Sequence, residues 1–199
     1  MNIAIVTGAS SGMGREFVRQ LGGYVSVDEI WAVARRASAL ETLKAETSVP
    51  VRPIVLDLLE ESSFTELEAL LESEKPNVRL LVNAAGFGKF GAYRKIPVED
   101  DCRMIDLNCK ALLLMTRLCV PYMQPGSHIL ELDSLSAFQP VPYITTYAAT
   151  KAFVLSYSRA MNRELKAQGI RVMAMNPGWV KTEFFNHAFQ TNADNEVRY

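Results

Sequence analysis

Tyr147 and Lys151 lie four residues apart, a spacing that places both side chains on one face of a helix. A free tyrosine has a pKa of about 10, and a neighbouring ammonium lowers that pKa because it stabilises the phenolate. The pair therefore predicts a general acid and base for the interconversion of a carbonyl and an alcohol. The pattern alone is weak, because many helices carry a packed tyrosine and a solvated lysine at this spacing.

Polar residues and glycines stand where several predicted strands end. Ser134 follows a short apolar run and precedes Tyr147 by 13 residues. The sequences N-A-A-G at residues 83–86 and N-P-G at residues 176–178 end two other runs in the same way. Ligand groups gather at the carboxyl ends of the strands in a doubly wound sheet. We therefore expect the Ser134 hydroxyl to bind a substrate oxygen.

A glycine-rich turn joins the first predicted strand to the first predicted helix. Residues 7–14 read T-G-A-S-S-G-M-G. Such a turn lets backbone N–H groups and a helix N-terminus approach a pyrophosphate, and a Cβ would obstruct that approach. The alternative is a merely flexible loop. The position between strand and helix favours dinucleotide binding.

The second predicted strand ends in two arginines, Arg35 and Arg36. Folds that bind NAD usually place an acidic side chain there for the ribose 2′-hydroxyl, whereas Asp28 and Glu29 precede this strand. Two guanidinium groups suit a 2′-phosphate, which they bind through charge-assisted hydrogen bonds. The sequence therefore predicts NADP (NADPH) rather than NAD, the alternative being that both arginines are surface charges.

Short apolar runs alternate with amphipathic segments along the chain. The runs predicted as strands are residues 3–6, 30–34, 51–56, 79–83, 128–132 and 170–175. The segments predicted as helices are residues 14–22, 38–46, 60–72, about 98–123 and 146–167, the last closed by Gly169. Strands that are apolar nearly throughout indicate a parallel sheet covered on both faces. The expected fold is a doubly wound (Rossmann) α/β domain spanning residues 1–199.

Composition excludes several classes of protein. The 199 residues include 21 Lys and Arg and 22 Asp and Glu, a formal net charge of −1, whereas nucleic-acid binding favours a basic excess. The cysteines, at positions 102, 109 and 119, form no C-x-x-C pair, and with two histidines they indicate neither a disulfide framework nor a metal site. No apolar run approaches the ~20 residues that cross a bilayer, and the early first strand leaves no room for a signal peptide. We expect a soluble cytoplasmic protein.

Taken together, these motifs resemble the short-chain dehydrogenase/reductase superfamily in its common single-domain form, over residues 2–182. Residues 7–14 resemble its T-G-x-x-x-G-x-G loop, and residues 83–86 resemble its N-N-A-G motif with alanine second. Residues 177–182, P-G-W-V-K-T, resemble its P-G-x-V-x-T segment. Asp57 matches the aspartate near the adenine amino group, and Asn108 matches an asparagine that interrupts the fourth helix.

The resemblance implies hydride transfer between a nicotinamide and a carbonyl or alcohol. Tyr147 would exchange the proton, Lys151 would lower the tyrosine pKa and hold the nicotinamide ribose, Ser134 would orient the substrate, and Asn108 would support a water chain. The residues assigned to the cofactor, including the two arginines, are Thr7, Gly8, Ser10, Ser11, Gly12, Met13, Gly14, Arg35, Arg36, Asp57, Leu58, Asn83, Ala84, Gly86, Tyr147, Lys151, Pro177, Gly178, Val180 and Thr182. A homodimer or homotetramer formed through the two long helices is also implied, and the Leu112-Leu113-Leu114 run could serve that interface or the inner face.

Two departures from the family pattern stand out. Asp133 occupies a position where the family often has a small or hydroxyl residue, so it either changes the local field or faces solvent. Only residues 183–199 follow the P-G segment, so we expect a truncated C-terminal part with a partial substrate lid.

Aromatic residues near the predicted site suggest an apolar carbonyl substrate: Phe87, Phe90, Phe138, Tyr143, Trp179, Phe184 and Phe185. A second hypothesis is a non-catalytic NADP-binding regulator or interaction protein on the same fold.

Overall fold

Six parallel strands form one sheet in the computed structural model, which describes residues 1–188 apart from the side chains of residues 186 and 187. The strands are β1 (Asn2–Thr7), β2 (Glu29–Ala34), β3 (Val51–Val55), β4 (Asn77–Asn83), β5 (His128–Leu132) and β6 (Arg171–Met175). Their order across the sheet is β3-β2-β1-β4-β5-β6. The predicted doubly wound α/β fold is confirmed.

Helices follow the strands along the chain. They are α1 (Gly12–Gln20), α2 (Ala37–Leu43), α3 (Glu61–Glu74), α4 (Val98–Ile105), α5 (Leu112–Cys119), α6 (Thr145–Glu164) and α7 (Phe184–Ala188). A π-helical segment, Asp106–Ala111, joins α4 to α5, so the long helix predicted from residue 98 is interrupted in its middle. A 3-10 turn ends α6 at Gly169, whose φ of 73° is one that glycine adopts without strain. Within residues 1–188, no helix is both long and apolar enough to span a bilayer.

Both faces of the sheet are buried, which explains why its strands are apolar nearly throughout. Ile3 and Ile5 pack into one core cluster, and Ala4 and Val6 pack into another on the opposite face. All four side chains are fully buried. Alternate residues of a strand point to opposite faces, so a strand covered on both sides needs apolar residues at every position.

The strand order reverses between β1 and β4, whose carboxyl ends lie side by side. Thr7 and Asn83, the last residues of these strands, are partners in the parallel register. The Thr7 hydroxyl oxygen accepts hydrogen bonds from the backbone N–H groups of Ala84 and Ala85, at 3.0 Å each. This contact ties the loop after β4 to the end of β1. A ligand crevice is expected at such a reversal.

The segment expected to be a partial lid, residues 183–199, is described only in part. Glu183 begins it, and α7 follows. Residues 189–199 lie outside the described part of the chain, so the expectation for them stays a prediction.

Candidate active site

A cavity of about 690 Å³ runs along the carboxyl ends of the strands, from Arg35 and Arg36 to Tyr147 and Lys151. All but three of the predicted site residues line it. The three exceptions, Thr7, Asn83 and Asn108, are buried behind its wall. The fold thus brings residues that are far apart in the sequence to one continuous cleft.

Close packing explains two glycines of the loop after β1. Gly8 has a φ of +66°, and a Cβ there would lie 2.8 Å from the carbonyl oxygen of Ala84. A Cβ on Gly14 would collide with the carbonyl oxygen of Gly8. The Gly14 contact holds the start of α1 against the loop after β1, and the Gly8 contact holds that loop against the loop after β4. The loop is therefore built for close approach of backbone to backbone.

The N-terminus of α1 has the properties of an anion site. Its N-cap residue, Ser11, makes no side-chain capping hydrogen bond within the described chain, and the first turn carries no acidic residue. Unpaired N–H groups and the helix dipole favour a bound phosphate at such an end. The cavity passes directly over this turn, because Ser11 and Gly12 both line it.

Two guanidinium groups lie at the β2 end of the cavity. Arg36 donates from Nε to the Ser10 hydroxyl at 3.2 Å, and from Nη1 and Nη2 to one carboxylate oxygen of Glu183 at 3.2 Å each. Arg35 Nη1 lies 3.7 Å from a carboxylate oxygen of Asp57. Both arginine side chains are at least half exposed, so they are accessible to a ligand phosphate.

Tyr147 and Lys151 lie on successive turns of α6 at the other end of the cavity. Lys151 Nζ donates to the carbonyl oxygen of Leu132 at 2.6 Å and lies 5.7 Å from the centre of the Tyr147 ring. The hydroxyl of Ser134 accepts hydrogen bonds from the N–H and hydroxyl of Ser136, at 3.2 and 3.0 Å. The structure thus places the predicted acid, its lysine and the serine at one wall.

The expectation that Tyr147 has a lowered pKa differs from what the structure shows. Burial raises the pKa of Tyr147 to about 12, a hydrogen bond with Ser134 opposes that rise, and the charge of Asp133 adds to it. The phenol is therefore protonated at neutral pH.

Asn108 lies in the π-helical segment and clamps two parts of the site together. Its Nδ2 donates to the carbonyl oxygen of Phe87 at 2.9 Å and to the Thr150 hydroxyl at 3.1 Å. Its Oδ1 accepts from the N–H of Phe87 at 3.0 Å. These bonds fix the loop after β4 against α6, while the water chain expected for Asn108 stays a prediction. π-helical turns of this kind are frequent at functional sites.

Two carboxyl groups lie buried at the end of β5 and directly after it, and the charge of Lys151 acts on both. Asp133 is only 2% exposed, and its Oδ2 accepts from Asn176 Nδ2 at 2.5 Å, so the alternative that it faces solvent is wrong. Burial raises its pKa to about 6, although Lys151 opposes that rise. Glu131 is fully buried, and burial raises its pKa to about 7.

Glu131 was not predicted as a site residue, although its position in the sequence carries a signal. Glu131 and Asp133 are two residues apart at the end of an apolar strand, so they point to the same face. Two acidic residues on a covered face of a parallel sheet are unusual, because an ionised carboxylate is rarely buried without a partner. That spacing could have identified both as groups of the site.

Aromatic rings enclose the cavity around Tyr147. The ring of Phe184, the first residue of α7, lies 5.6 Å from the Tyr147 ring, and that of Phe90 lies 5.8 Å from it. Trp179 and Phe185 stack at 5.1 Å, and each contacts Phe90. The backbone N–H of Phe90 donates to the carbonyl oxygen of Ala188 at 2.8 Å, which anchors α7 over the site. Phe87 also lines the cavity, whereas Phe138 and Tyr143 do not.

The cleft as a whole fits a dinucleotide. Its uncapped helix start suits a pyrophosphate, and Tyr147 and Lys151 stand at the far end. Among the side chains that the structure describes, no group of three or more His, Cys, Asp or Glu residues is arranged to hold a metal ion.

Comparison with known proteins agrees with this geometry. A model of the short chain dehydrogenase family matches residues 2–193. The NADP-dependent 3-hydroxy acid dehydrogenase YdfG of Escherichia coli (strain K12) is 36% identical over 197 residues, which cover 94% of this chain and 77% of YdfG.

Solved structures of related proteins share the fold. A short-chain dehydrogenase from Sphingobium yanoikuyae in complex with NADPH superposes with a TM-score of 0.85 at 28% identity, over 99% of this chain and 78% of that one. The closed form of serine dehydrogenase complexed with NADP+ superposes with a TM-score of 0.82 at 34% identity, over 94% of this chain and 76% of that one.

Proposed function

The chain belongs to the short-chain dehydrogenase family, and from that premise we propose that it is an NADP(H)-dependent oxidoreductase that interconverts an apolar carbonyl compound and its alcohol. The observation that carries the proposal is the single cavity in which the arginines and the glycine-rich loop share a wall with Ser134, Tyr147 and Lys151. A protein that only bound a dinucleotide would need the arginines and the glycine-rich loop, but it would not need Ser134, Tyr147 and Lys151 together.

The choice of NADP over NAD rests on the β2 end of the cavity. Arg35, Arg36 and the Ser10 hydroxyl would hold the 2′-phosphate, since guanidinium groups bind phosphate oxygens in a bidentate manner. The start of α1 would hold the pyrophosphate. YdfG is an NADP-dependent dehydrogenase, and the two solved relatives are complexes with NADPH and NADP+, which supports the same cofactor here.

When bound, the nicotinamide supplies a hydride to the carbonyl carbon or accepts one from the alcohol carbon. Tyr147 would donate its phenolic proton to the carbonyl oxygen, and its raised pKa keeps that proton in place before substrate arrives. Ser134 would orient the same oxygen, because it bonds to the phenol and lines the cavity. Lys151 would stabilise the phenolate that remains.

The proposed substrate is apolar because of the rings around the phenol. Phe90 and Phe184 contact Tyr147 directly, and Phe185 lines the cavity with Phe184. Such walls favour substrates with a hydrophobic or aromatic group beside the carbonyl. A preference for sugar phosphates among carbonyl substrates would contradict this part of the proposal.

The proposed setting is the cytoplasm, and the proposed assembly is a homodimer or homotetramer. The three cysteines are free thiols, as expected in a reducing compartment. The long helices expose apolar side chains, with Ile105 at the end of α4 50% exposed and Phe153 on α6 38% exposed. Light scattering on a size-exclusion column would measure the subunit number.

The test combines cofactor binding with turnover. NADPH and NADH are titrated by protein fluorescence, and aliphatic and aromatic ketones are then screened for loss of reduced-nicotinamide absorbance. We expect tighter binding of NADPH and its oxidation by at least one apolar ketone. Equal affinity for the two cofactors would contradict the phosphate assignment. Tight NADPH binding without turnover on any carbonyl or alcohol would contradict the enzymatic assignment.

A further inference from the structure

Three polar side chains form a row across one covered face of the sheet, at the carboxyl ends of β1, β4 and β5. Thr7 and Asn83 are register partners, and so are Asn83 and Glu131. Each lies two positions after a buried apolar residue of the same core cluster, so all three face that cluster. None is more than 3% exposed. Buried polar groups are destabilising unless they are hydrogen-bonded, so this row needs partners.

The hydroxyl of Thr116, on α5, is shared by two members of the row. Asn83 Nδ2 donates to Thr116 Oγ1 at 3.1 Å. The same oxygen lies 3.0 Å from Glu131 Oε1 and 2.9 Å from the carbonyl oxygen of Leu112, one turn earlier in α5. Thr116 is fully buried and does not line the cavity. One hydroxyl therefore joins the end of β4 to β5 and to α5.

Asn83 is the last residue of β4, and residues 84–86, which follow it, line the cavity. A Cβ on Gly8 would lie 2.8 Å from the first carbonyl oxygen of this loop. A Cβ on Gly86, at its other end, would lie 4.0 Å from Lys151 Nζ. The loop thus runs from the part of the wall assigned to the pyrophosphate to the part assigned to the nicotinamide. NADPH and NADH have both of those groups in common.

We propose that Thr116 is a positioning residue for the cofactor of the proposed oxidoreductase, on whose function this inference rests. Its hydroxyl holds the Asn83 side chain and thereby holds residues 84–86 in the position that receives the dinucleotide. Asn83 itself is buried behind the cavity wall. Its side chain therefore contributes to cofactor binding through the position of the loop and not through contact.

Pre-organisation is the physical reason for an effect on affinity. A loop that already holds its bound position loses little conformational freedom when a ligand binds. Without the hydroxyl, Asn83 Nδ2 loses its partner, and the loop occupies its binding position for a smaller fraction of the time. The apparent affinity falls by that fraction. The loss is the same for NADPH and NADH, because the loop faces the part that they share.

The first test is cofactor titration of two variants by protein fluorescence. Thr116→Val keeps the shape of the side chain and removes the hydroxyl, so we expect the affinities for NADPH and NADH each to fall by about tenfold. Thr116→Ser restores the hydroxyl and should bind both cofactors within about twofold of the wild type. Unchanged affinities in Thr116→Val, or a serine variant as weak as the valine variant, would overturn the proposal.

Ser158→Ala is the matched control for the loss of a buried helical hydroxyl. Ser158 is 1% exposed, and its hydroxyl donates to the carbonyl oxygen of Val154, one turn earlier in α6, at 2.7 Å. This bond lies within one helix and holds no strand end. We expect Ser158→Ala to bind both cofactors as the wild type does. An equal loss of affinity in this variant would show that Thr116 acts only through general stability.

Hydrogen exchange tests the position of the loop without any cofactor. The N–H groups of Ala84 and Ala85 bond to the Thr7 hydroxyl. In Thr116→Val, the exchange of these two amides should accelerate by about tenfold, while the amides of α2 keep their wild-type rates. The same acceleration in the loop and in α2 would show a merely structural role.

A measurement on the wild type covers the case in which the variants fail to fold. The side-chain amide protons of Asn83, assigned by NMR, should exchange with water at least about 100-fold more slowly than those of exposed asparagines. Exchange at the rate of an exposed asparagine would overturn the proposal.

Turnover separates this inference from the proposed function. In Thr116→Val, the KM for NADPH should rise by about tenfold, while kcat for carbonyl reduction stays within about threefold of the wild type. A lower kcat with an unchanged KM would contradict a positioning role toward the cofactor. If the wild type reduces no carbonyl at all, the proposed activity fails, and hydrogen exchange still decides the role of Thr116.

Discussion

Both terminal nitrogens of Arg36 donate to a single carboxylate oxygen of Glu183, at 3.2 Å each. Arg36 follows β2, and Glu183 immediately precedes α7, the helix that packs over the Tyr147 end of the cavity. The covering segment is therefore tied to the guanidinium group that we assign to the 2′-phosphate. A carboxylate there occupies the same donors that a phosphate would use.

Glu183→Gln should tighten the binding of NADPH and leave NADH nearly unchanged. The substitution removes a carboxylate that competes with the 2′-phosphate for Arg36. The ion pair is about half exposed, so the gain is at most about fivefold. Fluorescence titration of both cofactors measures it. Weaker NADPH binding in this variant would show that Glu183 does not compete with the phosphate.

Arg35→Ala combined with Arg36→Ala should weaken NADPH binding by more than about tenfold and NADH binding by much less. The reason is that only NADPH carries the phosphate that these side chains would bind. Arg163→Ala, which removes an exposed guanidinium from α6, is the matched control and should affect neither cofactor. Equal losses of NADPH and NADH affinity would refute the assignment of the arginines to the phosphate.

Gly14→Ala should destabilise the fold by about 1–3 kcal/mol, because the added methyl group collides with the carbonyl oxygen of Gly8. Gly23→Ala is the matched control, since a Cβ there meets no heavy atom within 4 Å. Urea denaturation of the two variants measures the difference in the free energy of unfolding. Similar midpoints for both would contradict the close packing of α1 on the loop after β1.

The fold could be predicted from the sequence because strands that are buried on both faces are apolar nearly throughout. Both faces of β2 are covered, so its apolar run marks the strand to within one residue. The predicted strand is 30–34, and the observed strand is Glu29–Ala34. The proximity of Tyr147 and Lys151 could be predicted because a spacing of four residues on a helix brings them to one face. The burial of Asp133 could not be predicted, because it depends on Asn176 from the end of β6. The pKa of Tyr147 depends likewise on burial by the enclosing structure, which one helix alone does not reveal.

Glu131→Gln should stabilise the protein more at pH 8 than at pH 5. The pKa of Glu131 is about 7 in the folded state, above its ordinary value, so the folded state holds this proton more tightly than the unfolded state. The stability that Glu131 contributes is therefore present at low pH and is lost as the pH rises through 7. Glutamine has no proton to lose, so the gain at pH 8 is on the order of 3 kcal/mol. Denaturation at both pH values measures it, and an equal effect at pH 5 and pH 8 would contradict a buried neutral acid.

Tyr147→Phe tests whether the Tyr147 phenol is the proton donor. Phenylalanine keeps the ring that packs against Phe90 and Phe184 and removes only the hydroxyl. NADPH affinity and carbonyl reduction are measured side by side in this variant and in the wild type. We predict unchanged affinity, within about twofold, and a rate reduced by about 10²–10⁴-fold. A variant that reduces the same ketone at the wild-type rate would contradict the account.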